Sequence, residues 1–316
     1  MTSAKKPPTE IDFIQWIREH TPQLPENYVV GIGDDSAVVN TFGKTSVVIT
    51  TDSVVEGVHF KPETEPYLAG RKAMARGLSD IAAMGVEPSF CVAAVCFGQN
   101  SSLRDAKAVY KGMRFIADKF NVKIIGGDVS NSGKNLFLIN VTAIGLTRMK
   151  PVTRSGARDG DAILVTGALG GSILGRHLNF LPRIKEGLAL NRKFKLHSMI
   201  DISDGLAADL GHILEESRCR GAVLYENAIP VSASAEKLAR STRRPVIEHC
   251  IYDGEDYELL FTASQQEARK ILEWAKGRIK ISVIGQIRNN KKGIFLGSGN
   301  RETELEKKGY RHTMRS

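Results

Sequence analysis

An aspartate beside glycine, serine or threonine recurs along this chain at the ends of apolar elements. It occurs in Gly31-Ile32-Gly33-Asp34-Asp35-Ser36, in Thr50-Thr51-Asp52-Ser53, at Asp80, in Gly126-Gly127-Asp128-Val129-Ser130 and in Asp201-Ile202-Ser203-Asp204-Gly205. Oxygen donors held at fixed positions are what a hard cation such as Mg²⁺ requires. Asp34 and Asp35 repel each other unless a cation or water screens them. Asp201, Ser203 and Asp204 open a predicted helix, whose spare N–H groups attract phosphate oxygens, with carboxylate-held cations able to bridge to them. Taken singly, each stretch is equally readable as an acidic turn or a helix cap. The repetition is what points to metal-assisted phosphate chemistry.

Elements that could position these residues follow from apolar periodicity. Helices are predicted over 9–19, 70–84 (ended by Gly85, with Pro88 just beyond), 101–120, about 204–216 and 264–276. Strands are predicted over 46–49, 90–97, 122–125, 136–147, 162–166, from about 257 to 261, 281–287 and 294–296. On this reading Asp52 and Asp128 stand just past strand ends, and two glycines let a ligand approach Asp128 closely. Asp80 lies beside the apolar side of its helix and either pairs with Arg76 one turn back or binds metal. Arg before Asp is the weaker order for a helix pair, which favours the metal. The loop Gly167-Ala168-Leu169-Gly170-Gly171-Ser172 has a phosphate-loop composition, but no Gly-Lys-Ser/Thr follows, so it reads as a turn into a helix.

The chain has 316 residues, 42% hydrophobic and 25% charged, which is enough for two cores. The expected division is a lead and helix over 1–28, a first domain over 29–148 and a second domain over 149–316. No apolar run approaches the roughly 20 residues that span a bilayer. The start, MTSAKKPPTE, has no apolar segment of a secretory signal. Cys91, Cys96, Cys219 and Cys250 form no C-x-x-C pair and read as reduced, buried thiols, so a cytoplasmic location is expected. The net charge of +9 comes from scattered residues with no basic stripe interleaved with aromatics, which argues against nucleic acid.

The ordered set GDDSAVV, TTDSVVEGVHF, LSDIAAMG, GGDVS, RSGARDGD, DISDGL and GEDYELLF resembles the thiamine-monophosphate kinases of the aminoimidazole ribonucleotide synthetase-like superfamily. The resemblance runs from about Gly31 to Tyr310. It implies a two-domain PurM-like α/β (α+β) fold, with an N-terminal mixed sheet carrying helices on one side and a C-terminal α/β domain. It implies transfer of the γ-phosphoryl of ATP to thiamine monophosphate, with several Mg²⁺ ions, in a homodimer whose first-domain sheets meet across the two-fold. Matched residue by residue, Asp35, Asp52, Asp80, Asp128, Asp201 and Asp204 fall on metal positions, with Thr50 and Thr51 supplying nearby oxygens and Asp34 beside them. Asp52, Asp128 and Asp204 are the implied catalytic carboxylates. Tyr110, Gly127, Asp128, Arg154 and Ser203 fall on ATP contacts, and His59, Glu255 and Tyr310 on the substrate side.

Two positions depart from the family pattern, both on the substrate side. Asp253 stands where glycine is usual before Gly-Glu-Asp, and Tyr310 where Trp or Phe is common. Two alternatives stand beside the kinase: another ATP-using member of the superfamily, and a non-enzymatic phosphate- or nucleic-acid-binding protein. Selenophosphate synthetase would need a reactive Cys or selenocysteine near the N-terminus, and the hydrogenase maturation protein a C-terminal Cys. MTSAKKPPTE and Met314-Arg315-Ser316 contain neither.

Overall fold

A computed structural model describes residues 10–20, 28–41, 43–306 and 309. Tyr310 lies outside the described residues.

The first sheet is built on Ser46–Val55 (β3), whose β-branched residues suit a pleated, half-buried surface. Its other strands are β1 (Tyr28–Val30), β2 (Ala37–Asn40), β4 (Pro88–Phe97), β5 (Lys123–Asn131) and β6 (Leu138–Thr147). Their order is β1-β2-β3-β6-β4-β5, all antiparallel neighbours except the parallel pair β4/β5. Two expectations are corrected here. The strand expected to end at Ile49 runs on to Val55, because β6 pairs with all ten of its residues, from Ser46↔Thr147 to Val55↔Leu138. The strand expected to end at Ile125 runs on to Asn131 as the sheet edge. Asp52 and Asp128 therefore sit inside strands. Glycine at 127 is what allows this at β5, since a Cβ there would overlap the Ala93 carbonyl of β4.

Three helices belong to this half: α1 (Glu10–His20), α2 (Pro66–Ala83) and α3 (Leu103–Lys119). α2 starts four residues before the predicted position, with Pro66 supplying the preset φ that a first helical turn favours. Ser102 and Asp105 form a reciprocal capping box that starts α3. α2 and α3 pack together and cover one side of the sheet. The opposite side leaves Val92 and Leu146 exposed, beside Ile125 and Val129 on the β5 edge.

The second sheet contains β7 (Ala162–Thr166), β8 (Leu196–Asp201), β9 (Gly221–Tyr225), β10 (Leu259–Ala263), β11 (Ile281–Ile287), β12 (Gly293–Ser298) and β13 (Arg301–Leu305). Their order is β13-β12-β9-β11-β7-β10-β8, mixed because β12 runs parallel to β9. Its helices are α4 (Arg176–Asn179), α5 (Ile184–Lys193), α6 (Leu206–Glu216), α7 (Ala233–Thr242), α8 (Val246–Tyr252) and α9 (Gln265–Ala275). Ser172, expected to begin a helix, opens only a short 3₁₀ turn over Ser172–Leu174. All four cysteines are free thiols, of which Cys91 and Cys250 are buried. Among the described residues no helix is long and apolar enough to cross a membrane.

α2 is the element shared by the two halves. It packs on β3 and β6 of the first sheet and on β8, α4 and α5 of the second half. Any charged residue on its flank is thereby set between the two sheets.

Candidate active site

The aspartates expected to act together come from both halves of the chain. Asp35 lies in the bend before β2, Asp80 on the last turn of α2, and Asp201 at the end of β8. One carboxylate oxygen from each lies within 4.8 Å of the others. Strand alternation explains the first-sheet contributions. Thr50 and Asp52 of β3 point toward α2, where Thr50 Oγ1 donates to Asp80 Oδ2 at 2.5 Å and Arg76 Nε donates to Asp52 Oδ2 at 2.8 Å. Arg76 thus serves Asp52, not Asp80. On the α2 residue before Asp80, Ser79 Oγ donates across to Asp201 Oδ2 at 2.5 Å.

Burial sets the electrostatics. It pushes the Asp80 carboxyl well above the usual range, helped by Asp201 and Asp52, and pushes Asp201 up to about 7, helped by Asp35. Asp35 is raised by burial even though Arg154 donates to its Oδ1 from Nη2 at 2.6 Å and from Nε at 3.2 Å. Asp34, which accepts from the Arg154 backbone N–H at 3.1 Å, is raised to about 6 by burial and by Asp35. Asp35 Oδ2 and the adjacent Ser36 Oγ are buried with no hydrogen-bond partner among the described residues. An orphaned carboxylate oxygen beside the buried Asp201 and the half-buried Asp80 costs several kcal/mol as it stands. Oxygen donors of this kind, converging with excess negative charge, fit a hard divalent cation.

A cavity of about 650 Å³ adjoins this cluster. Arg154 and Arg76 line it, as do Ser203 and Asp204 from the loop before α6, His59 from the turn after β3, and Glu255 and Tyr257 from the loop before β10. Ile14, Val58, Ile173 and Leu238 give it apolar walls. Two loops meet at its floor, where a Cβ on Gly254 would overlap the Ser203 carbonyl and where the Glu255 N–H donates to that carbonyl at 2.7 Å. Asp204, Asp209 and His212 bring a second set of ligand-type atoms within 4.8 Å of one another, with burial and Asp204 raising Asp209. Asp253, the departure noted in the sequence, accepts from His249 Nδ1 at 2.7 Å at the cavity wall.

Other sequence candidates are placed elsewhere. Tyr110, Gly127 and Asp128 line a separate cavity of about 480 Å³ between α3 and the edge strands. The ATP candidates therefore divide, with Arg154 and Ser203 in the larger cavity. The Thr51 side chain sits on the opposite face of β3 from Thr50, bonded to Asn140 and Thr142, and does not join the carboxylates. Residues missed in the sequence include Lys72, Ser79, Asp209 and His212. A signal for the first existed: Lys72, Arg76 and Asp80 are spaced four apart and share one side of α2. Asp209 and His212 are likewise one turn apart on α6.

The chain matches the AIR synthase related protein N-terminal domain over residues 33–147 and the corresponding C-terminal domain over 158–297. It is 39% identical over 286 residues to thiamine-monophosphate kinase of Rhodopirellula baltica, covering 88% of this chain and 89% of that one. With the same enzyme of Bacillus subtilis it shares 32% over 309 residues, covering 90% and 93%. Its fold is similar to that of AaThiL complexed with AMPPCP and TMP, with a TM-score of 0.83 and 26% identity over 96% of this chain and 97% of that one. Two AIR-synthase-related domains, and identity of this level along nearly the whole length, establish that the chain belongs to the thiamine-monophosphate kinase family.

Proposed function

We propose that this protein transfers the γ-phosphoryl group of ATP to the phosphate of thiamine monophosphate, giving thiamine diphosphate and ADP. The observation that carries the reading is the convergence of Asp35, Asp80 and Asp201, with an orphaned Asp35 oxygen, beside a cavity that Arg154, Ser203, His59 and Glu255 line. The names of the relatives, and of the ligands held by the similar structure, agree with it.

The chemical problem is charge. Two like unit charges 4 Å apart repel by about 4 kcal/mol at an effective dielectric of about 20. Two phosphate groups placed end to end multiply that cost. Mg²⁺ held by Asp35, Asp80 and Asp201, with Asp52 and Asp204 as further ligands and Thr50 beside them, would neutralise phosphate charge when bound. The protein's own share is alignment. Arg154 is anchored on Asp35, so its guanidinium is held at the cavity wall without side-chain freedom. The Ser203 hydroxyl offers a donor to phosphate oxygens, whereas the Asp204 and Gly205 N–H groups beside it already donate to Asp209 Oδ2. The attacking phosphate oxygen is already anionic, so no strong general base is required.

On this reading Tyr110, Gly127 and Asp128, with Arg154 and Ser203, serve ATP. His59, Glu255 and Tyr310 serve the thiamine side, where an aromatic face suits a cationic ring. We further assign residues 29–148 to the ATP- and Mg-binding domain and 149–316 to the second domain, and place the protein in the cytoplasm. A homodimer formed through the first sheets is supported by the exposed Val92 and Leu146 and by the β5 edge, where Ile125 is 62% and Val129 75% exposed.

The test is product analysis with ATP, Mg²⁺ and thiamine monophosphate. Equal amounts of thiamine diphosphate and ADP are expected. Free phosphate without thiamine diphosphate would overturn the reading in favour of another branch of the superfamily.

A further inference from the structure

Lys72 is fully buried, an uncommon fate for a lysine. Both of its hydrogen bonds go to loops of the larger cavity. Nζ donates to the His59 carbonyl oxygen, in the turn after β3, and to Glu255 Oε1, in the loop before β10. One partner belongs to the first half of the chain and the other to the second. The two loops share no strand or helix, so the ammonium on α2 is a direct polar tie between them.

Each loop needs such a tie. The Val55 N–H donates to His59 Nδ1 at 3.1 Å, which fixes the ring against its own strand end, while Lys72 fixes the same residue's carbonyl. Glu255 has φ +64° and Tyr257 φ +51°, both in the left-handed region that non-glycine residues rarely adopt. Between them Asp256 is held by Gly170, Ser172 and Arg176, and Tyr257 stacks on Phe180 with ring centroids 3.9 Å apart. Strained backbone persists where its surroundings over-determine it, and Lys72 is the charge that holds the Glu255 side chain. Burial pulls the Lys72 ammonium down, and Glu255 draws it back up. A methionine would fill the same volume without that desolvation cost, so packing alone does not account for a lysine here.

We infer that Lys72 is a positioning residue for the acceptor: it locks the His59 and Glu255 loops in one arrangement and so shapes the end of the cavity that receives the organic part of the substrate. This rests on the kinase reading above. Nucleotide binding depends on it less than acceptor binding does, because neither tied loop carries Tyr110, Gly127, Asp128, Arg154 or Ser203, and the Glu255 loop meets the Ser203 loop only through backbone, the Glu255 N–H donating to the Ser203 carbonyl.

Steady-state kinetics with ATP and thiamine monophosphate test the inference, with the unmodified protein as control. If the control makes no thiamine diphosphate, it is the kinase reading that fails. Given an active control, Lys72→Met is expected to raise the acceptor KM about tenfold or more, the scale of a charged hydrogen bond lost, with the ATP KM held within about twofold. Glu255→Gln weakens the same pair from its solvent-facing side and keeps the test available if Lys72→Met does not fold. The double variant is expected to cost less than the product of the two single effects. A parallel rise in both KM values would overturn the inference. So would a folded Lys72→Met protein with a lowered melting temperature and an unchanged acceptor KM, since that is a purely structural role.

Discussion

Two of the carboxylate groups set inside this molecule are satisfied very differently. Asp256 and Glu258, in the loop before β10, are saturated. Glu258 accepts from Arg183 Nε and Nη2 and from Thr166 Oγ1, each at 2.7 Å, and from Arg176 Nη1 at 3.3 Å. Asp256 accepts from the Gly170 N–H, Ser172 Oγ and Arg176 Nη2. Asp35, Asp80 and Asp201 have one arginine and two hydroxyls among the three of them, and one oxygen with no partner. Burial alone does not separate the groups, since it raises Asp256 to about 6 as well. The difference is in the donors. A buried acid with its lone pairs filled braces a loop, whereas one facing other acids with a lone pair open is built for a cation.

The sharpest break between the two groups is expected from isosteric neutralisation. Asp201→Asn keeps the shape and can still accept from Ser79, but it removes a charge from the cation site. Turnover is expected to fall about 10³-fold or more, the scale of losing one electrostatic contact to a transition state. The unfolding midpoint without metal should hold or rise, because a repelling charge has gone. Kinetics beside a thermal melt check both halves, and a marked loss of stability would put Asp201 with the bracing acids.

The converse change falls on the saturated group. Glu258→Ala leaves Arg183 and Arg176 without their buried partner, and breaking such a pair costs about 3–5 kcal/mol. A fall in melting temperature of about 10 °C is expected. Any fraction that remains folded should respond to Mg²⁺ as before. Denaturant unfolding reads the first effect, and an unchanged midpoint would show that the arginines find other partners.

The same contrast explains what could be read from the sequence. Aspartates beside glycine and serine are local patterns, so Asp35, Asp80 and Asp201 were legible one by one. Their meeting was not, because Asp201 reaches the others only through Ser79 and the placement of α2 between the sheets. Local pattern puts Asp52 and Asp128 at strand ends, since polar residues normally close a strand. Cross-strand pairing with β6 and β4 carried both strands further. The spacing of Lys72, Arg76 and Asp80 shows a shared helix side, but not the partners of Lys72, which lie in loops before and after it in the chain, one of them 183 residues away. The bracing network was equally hidden, as Arg176 stands 80 and 82 residues before Asp256 and Glu258, and Arg183 75 before Glu258. Long-range ion pairs leave no periodicity to read.

The smallest expected effect is also the most direct comparison of the two groups. A ligand that binds only the folded state stabilises it by RT ln(1 + [L]/Kd), about 1.4 kcal/mol at ten times Kd. For a chain of this size that is a rise in melting temperature of about 3 °C. Mg²⁺ is expected to produce it in the unmodified protein and to lose it in Asp201→Asn. In Asp256→Asn, which alters the saturated group, the rise should persist on a lower baseline. Differential scanning calorimetry of the three proteins with and without Mg²⁺ separates these outcomes. An equal response in all three would mean that the ion acts elsewhere, and the open lone pair on Asp35 would then need another explanation.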